Sequence, residues 1–197
     1  MKYIIKEQEC GYLMKNGILE KLLFAGKYSL FSWMGYELKT VSMTGEVDTQ
    51  GLPAELLMKH PEFASRVVRV QIPDTCIGLH MVNGAYQRFL MSGEALYWNV
   101  YESNEVRLVD VTGTQITEEQ VPRMYLHLLP ARLYKKMVIG DGETGLLYID
   151  GHYTEQLGCG TYYYWIYAHE VSCKIFNLKI QQLDISGQEI LTADKVG

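Results

Sequence analysis

Five histidines, four cysteines and a scatter of carboxylates are the side chains with which this chain of 197 residues could do chemistry. His60, His80, His127, His152 and His169 show neither H-x-x-x-H nor H-E-x-x-H spacing, the patterns that bring two imidazoles onto one helix face for zinc. Cys10, Cys76, Cys159 and Cys173 include no C-x-x-C pair, so a structural zinc site lacks its ligands. The four are expected to be free thiols in a reducing compartment. His169 and Glu170 are adjacent, and in a strand neighbouring side chains point to opposite faces. There is no G-x-S-x-G elbow and no Walker loop. The glycine-rich "GDGETG" (140–145) has no Lys-Ser/Thr and no helix signal after it, so it reads as a turn rather than a phosphate cradle. Cys159 lies between two glycines, yet a reactive thiol needs a cation or a helix N-terminus beside it, and the local sequence offers neither. Glu46, Asp48, Glu118, Glu119 and Asp184 read as a solvated acidic surface. No catalytic residue, cofactor or metal site follows from these side chains, and the expectation is a protein that is not an enzyme.

The net charge of −5, with no basic block, argues against nucleic acid as a partner and against a polybasic membrane patch. No apolar run approaches the roughly 20 residues of a membrane-spanning helix. "MKYIIKEQEC" lacks the apolar stretch of a signal peptide, so a cytoplasmic location is expected.

What the chain does have is a period. Gly17, Gly84 and Gly151 are 67 residues apart, as are Gly26, Gly93 and Gly160, and Gly11, Gly78 and Gly145. Phe31, Trp98 and Trp165 keep the same step. A fixed period of this kind marks a repeated structural unit. The fold class is therefore mainly β (α+β): three tandem small antiparallel modules, over 1–65, 66–134 and 135–197, joined by short helical connectors. A unit of this size buries only about 60% of its unfolded surface, so the modules should pack on one another or on a partner.

Each unit opens with two strand-like runs and then writes Asn16-Gly17, Asn83-Gly84 or Asp150-Gly151. These are the dipeptides of a two-residue type I′ hairpin, in which both central residues need positive φ. The later glycines Gly26, Gly93 and Gly160 are expected at a bend or bulge before the next strand. That strand is aromatic, most densely at Tyr162, Tyr163, Tyr164 and Trp165. These four are either large side chains packed inside a sheet or an exposed interaction surface. The stretches 52–66 and 117–136 carry the helix signals. Leu56, Leu57 and Phe63 stand at helical spacing, Pro53 near a start, and Pro61 limits the helix. In the third unit the Ser186-Gly187 step comes later after the hairpin than Thr44-Gly45 or Thr112-Gly113, which predicts a longer final strand.

The third unit, residues 142–196, resembles the start of the SPFH (band 7) domain of the stomatin, prohibitin and slipin superfamily. The features are the hairpin strand "TGLLYIDG" (144–151), the Gly158-Cys159-Gly160 corner, a long Val/Ile/Leu-rich strand, and "GQEILTADKV" (187–196). The last resembles the Gln-Glu-(Ile/Val)-Leu-Thr-x-Asp segment of slipins. Cys159 stands where the family usually has Pro. The two upstream units look like duplicates of the opening hairpin module, a layout similar to bacterial slipin family proteins. The resemblance implies a scaffold or assembly protein. It implies self-association through regions beyond Gly197 and membrane contact, peripheral to the cytoplasmic face, through parts absent from this stretch. The alternative is a binding module that captures a peptide or glycan on an aromatic face or strand edge.

Overall fold

The structure, a computed structural model, describes residues 2–29 and 34–178. Among the described residues, fifteen strands fall into three groups of five with the same pairing in each. In the first module β1 (Lys2–Ile5) pairs with β4 (Gly26–Ser29), and β2 (Glu9–Lys15) lies between β3 (Ile18–Leu23) and β5 (Tyr36–Ser42). In the second, β6 (Val67–Ile72) pairs with β9 (Gly93–Trp98), and β7 (Cys76–Val82) lies between β8 (Ala85–Leu90) and β10 (Asn104–Asp110). In the third, β11 (Tyr134–Ile139) pairs with β14 (Gly160–Trp165), and β12 (Glu143–Ile149) lies between β13 (His152–Leu157) and β15 (Val171–Asn177). All pairs are antiparallel. The mainly β, hairpin-built, tandem architecture is thus present in the folded chain.

The hairpin turns have the required backbone. Gly17, Gly84 and Gly151 take φ of 80°, 77° and 78°, and the residues before them, Asn16, Asn83 and Asp150, take 49°, 51° and 51°. The side chain before the glycine has a second task. Asn83 N–H donates to the Ser103 carbonyl at 2.8 Å, and Ser103 N–H donates to Asn83 Oδ1 at 2.9 Å. Asp150 and Glu170 make the same exchange at 2.8 and 2.9 Å. The turn therefore clamps the chain as it enters the fifth strand. A Cβ at Gly84 would meet nothing within 4 Å, so backbone strain alone sets the cost of a substitution there. Gly84→Val is expected to lower stability by about 1–2 kcal/mol, read as a shift in the urea unfolding midpoint.

The bulge lies elsewhere than at Gly26, Gly93 and Gly160. These glycines begin the fourth strands just after a bend at Ala25, Ser92 and Cys159. The register shift sits in the second strand, between Leu13 and Met14, His80 and Met81, and Leu147 and Tyr148. It recurs with the same 67-residue period. Beside it Gly11, Gly78 and Gly145 let another side chain in. A Cβ on each would come within 2.6, 2.9 and 2.8 Å of the Cδ1 of Ile5, Ile72 and Ile139. The first strand can lie across the sheet only because those positions are bare.

The connectors form short helices. Pro53 precedes α1 (Ala54–Met58), Pro61 is the first residue of α2 (Pro61–Ala64), and Pro122 precedes α3 (Arg123–Leu126). Proline there loses no helical hydrogen bond, since the first-turn N–H groups have no partner in the helix anyway. β15 has seven residues, as do β5 and β10. The expected extension of the third module's last strand lies outside the described residues. No described helix is long and apolar enough to cross a membrane.

Candidate functional site: the junctions between modules

Each three-stranded sheet has two faces. One packs on its own module's strand pair, around Ile5, Leu13 and Leu23 in the first module and Met137, Ile139 and Leu147 in the third. In the first and second modules the other packs on the outgoing connector and on the next module. Cys10, Tyr12, Val41 and Met43 of the first sheet form one core with Val47, Ala54, Leu57 and Phe63 of the connector and Leu96 and Trp98 of the second module. Ile77, Val109 and Val111 repeat this with Ile116, Val121, Leu126, Leu129, Leu133 and Trp165. The tryptophan that ends the fourth strand thus plugs the module before it.

The backbone repeats the arrangement too. Trp98 N–H donates to the Gly45 carbonyl at 2.9 Å and Val47 N–H to the Leu96 carbonyl at 2.8 Å. One junction later Trp165 N–H donates to Thr114 at 2.7 Å and Ile116 N–H to Tyr163 at 3.0 Å. Each module's outgoing chain adds an edge to the next module's fourth strand. Asn99 N–H to Arg66 and Ile166 N–H to Leu133, at 2.7 and 2.9 Å, close the far side. Polar side chains fasten the first seam. Tyr12 donates its hydroxyl to the Asp48 carbonyl at 2.9 Å. Arg69 bridges Glu55 of α1 and Glu94 of β9. A backbone hydrogen bond and this arginine hold the Glu55 carboxyl below its usual range. At the second seam Tyr86 and Tyr125 stack at 4.6 Å.

This geometry settles the setting of the aromatic cluster. Trp165 and Tyr164 are buried, and Tyr162 and Tyr163 are half-buried. Burial pushes the Tyr164 hydroxyl up to about 12. Two of the four rings are therefore closed to a ligand, and Trp165 makes its contact inside the chain.

The first junction also holds a polar network that sequence reasoning missed. His80 occupies the place of Leu13 and Leu147 beside the bulge, and it is buried. Its ring stacks on Tyr97 at 4.0 Å. Asn104 Nδ2 donates to the Trp98 carbonyl at 2.7 Å, which leaves Oδ1 facing His80 Nε2 at 2.8 Å. Nε2 must then carry the proton. His80 Nδ1 is the bare nitrogen, and it has no partner among the described residues. Arg88 reaches the Tyr97 hydroxyl and Glu46 at 2.8 and 2.7 Å. The available signal was a histidine where the other two copies have leucine. The network orients and fastens, and it includes no nucleophile.

The remaining candidates stay apart. Among the described residues no three His, Cys, Asp or Glu side chains converge on a point that could hold a metal. All four cysteines are free, with Cys10 buried and Cys159 exposed. Burial raises the Cys10 thiol to about 12. His169 Nδ1 and Asp150 Oδ2 lie 2.7 Å apart at the third hairpin turn, where Asp150 serves the clamp described above. Compared with known protein families, with curated proteins and with solved structures, the chain matches none.

Proposed function

We propose that this chain is the β-module region of a non-enzymatic scaffold or assembly protein of the SPFH (slipin-like) type. It works in the cytoplasm, peripheral to a membrane in the complete assembly, with itself or another protein as partner. The observation that carries the reading is the repeated junction, in which backbone pairing and a buried tryptophan join each module to the next. Repetition with packed nearest neighbours builds length and surface instead of an enclosed site. Capture of a peptide or glycan on the aromatic strand is disfavoured, because Tyr164 and Trp165 are buried where that reading needs an exposed platform. Light scattering on the complete gene product tests the proposal. A large, regular oligomer is expected. A protein that stays monomeric at micromolar concentration, with or without lipid, overturns it.

A further inference from the structure

The two seams are built on one plan and closed differently. At the first, Arg69 of β6 is held by two carboxylates, Glu94 of β9 and Glu55 of α1. Gln71, two residues along β6, donates its Nε2 to Glu94 Oε1 at 3.1 Å. The 67-residue period places Lys136, Val138 and Thr161 where Arg69, Gln71 and Glu94 stand. Strand register agrees. Arg69 lies opposite Leu96 and Gln71 opposite Glu94, as Lys136 lies opposite Tyr163 and Val138 opposite Thr161. The connectors align on their prolines. Glu55 is the second residue after Pro53, and Met124 is the second after Pro122. Leu57 and Leu126, two residues further on, are both buried. The second seam therefore keeps the cation and lacks both carboxylates.

Residues directly opposite in an antiparallel pair share a face, and so do residues two apart on one strand. Lys136, Val138, Thr161 and Tyr163 therefore stand on one side of β11 and β14. Lys136 is exposed, and its ammonium has no ion-pair partner among the described residues. Val138 is 55% exposed and Met124 66%. On the same side, between β14 and the connector, lies a cleft of about 340 Å³ whose walls include Thr161, Tyr162, Tyr163, Glu118 and Arg123. Glu118 is the carboxylate of that wall, and both its oxygens serve Arg123. Oε1 accepts the Arg123 N–H at 3.1 Å, and Oε2 lies 3.4 Å from Arg123 Nε. Where glutamates close the first seam, the second presents a free cation, two bare apolar side chains and a cleft walled by half-buried tyrosines.

We propose that this cleft takes an acidic segment of a partner protein, with a carboxylate on Lys136 and an aliphatic neighbour over Val138 and Met124. The first seam supplies the template, and there the carboxylates are glutamate side chains carried on a polypeptide. The site is read from the difference between the two seams, so it stands independently of the scaffold reading. The probe is the blocked tripeptide Glu-Leu-Glu, titrated into the 197-residue chain while the amide signals of Thr161 and Tyr163 are followed by NMR. Saturable shifts are expected, with a Kd about tenfold below that of Gln-Leu-Gln, the difference one charge-assisted hydrogen bond makes. Lys136→Gln should weaken binding of Glu-Leu-Glu by a similar factor. Met124→Glu with Thr161→Glu supplies the first seam's carboxylates within the chain and should exclude the tripeptide. Both positions are exposed, so this pair leaves the core untouched. Equal binding of the two tripeptides, or no binding, overturns the proposal. So does binding that either variant leaves unchanged, and so does succinate binding as tightly as Glu-Leu-Glu, which would assign the cleft to a small dicarboxylate.

Discussion

Replacing Trp165 with alanine should cost about 3–5 kcal/mol, the range for emptying a large aromatic from a packed core. The ring is fully buried and belongs to the core of the module before its own, among Ile77, Val109, Val111 and Leu129. Its removal leaves a cavity lined by two modules and a connector, and their strands are tied by backbone bonds from Thr114 and Ile116, so the void cannot easily collapse. Because the tryptophan couples neighbours, the urea transition should broaden as well as shift, with the third module unfolding ahead of the first two. Trp165→Phe is the control, since phenylalanine stands at the matching place in the first unit, Phe31. It should cost much less. The indole N–H of Trp165 reaches Gln120 Oε1 at 3.4 Å, whereas that of Trp98 has no partner among the described residues. The phenylalanine change should therefore be better tolerated at 98 than at 165. A Trp165→Ala midpoint within about 1 kcal/mol of the parent, well under the cost of a core aromatic, would mean that the junction does not couple the modules.

Much of the architecture was legible because glycine spacing reports backbone necessity. Asn-Gly and Asp-Gly name a turn type, and their recurrence at 67 residues names the repeat. The reason for Gly11, Gly78 and Gly145 was not legible. They keep φ in the ordinary range, and their purpose is space for Ile5, Ile72 and Ile139, which appears only when the first strand crosses the sheet. The junctions were half visible. The period aligned Trp98 with Trp165, but no local pattern says that a residue at the end of one module's fourth strand is buried in the module before it. Gly26, Gly93 and Gly160 were readable as a bend or a bulge, and they follow a bend; the position of the bulge was not legible. It sits where non-glycine residues change register. No motif in the sequence includes His80, and its meaning depends on Asn104, 24 residues away on another strand.

That pair supports the second large effect. Asn104→Ala should destabilise the chain by about 2–4 kcal/mol, because it leaves two buried groups, the His80 Nε2–H and the Trp98 carbonyl, without the partners they have now. An unmade buried hydrogen bond costs more than a made one contributes, so the loss exceeds the net worth of the two bonds. The repeat supplies the compensating change. Where the second module has His80 and Asn104, the third has Leu147 and Val171, both buried and apolar. His80→Leu with Asn104→Val removes the imidazole donor together with its acceptor and leaves only the Trp98 carbonyl to be satisfied. The double variant should be at least 1 kcal/mol more stable than the sum of the two single effects allows, a coupling expected for residues in one hydrogen-bond network. A thermal or urea double-mutant cycle reads this directly. Additive single effects would mean that the histidine and the asparagine act separately, and that the departure of the second module from its siblings lies in something other than this bond.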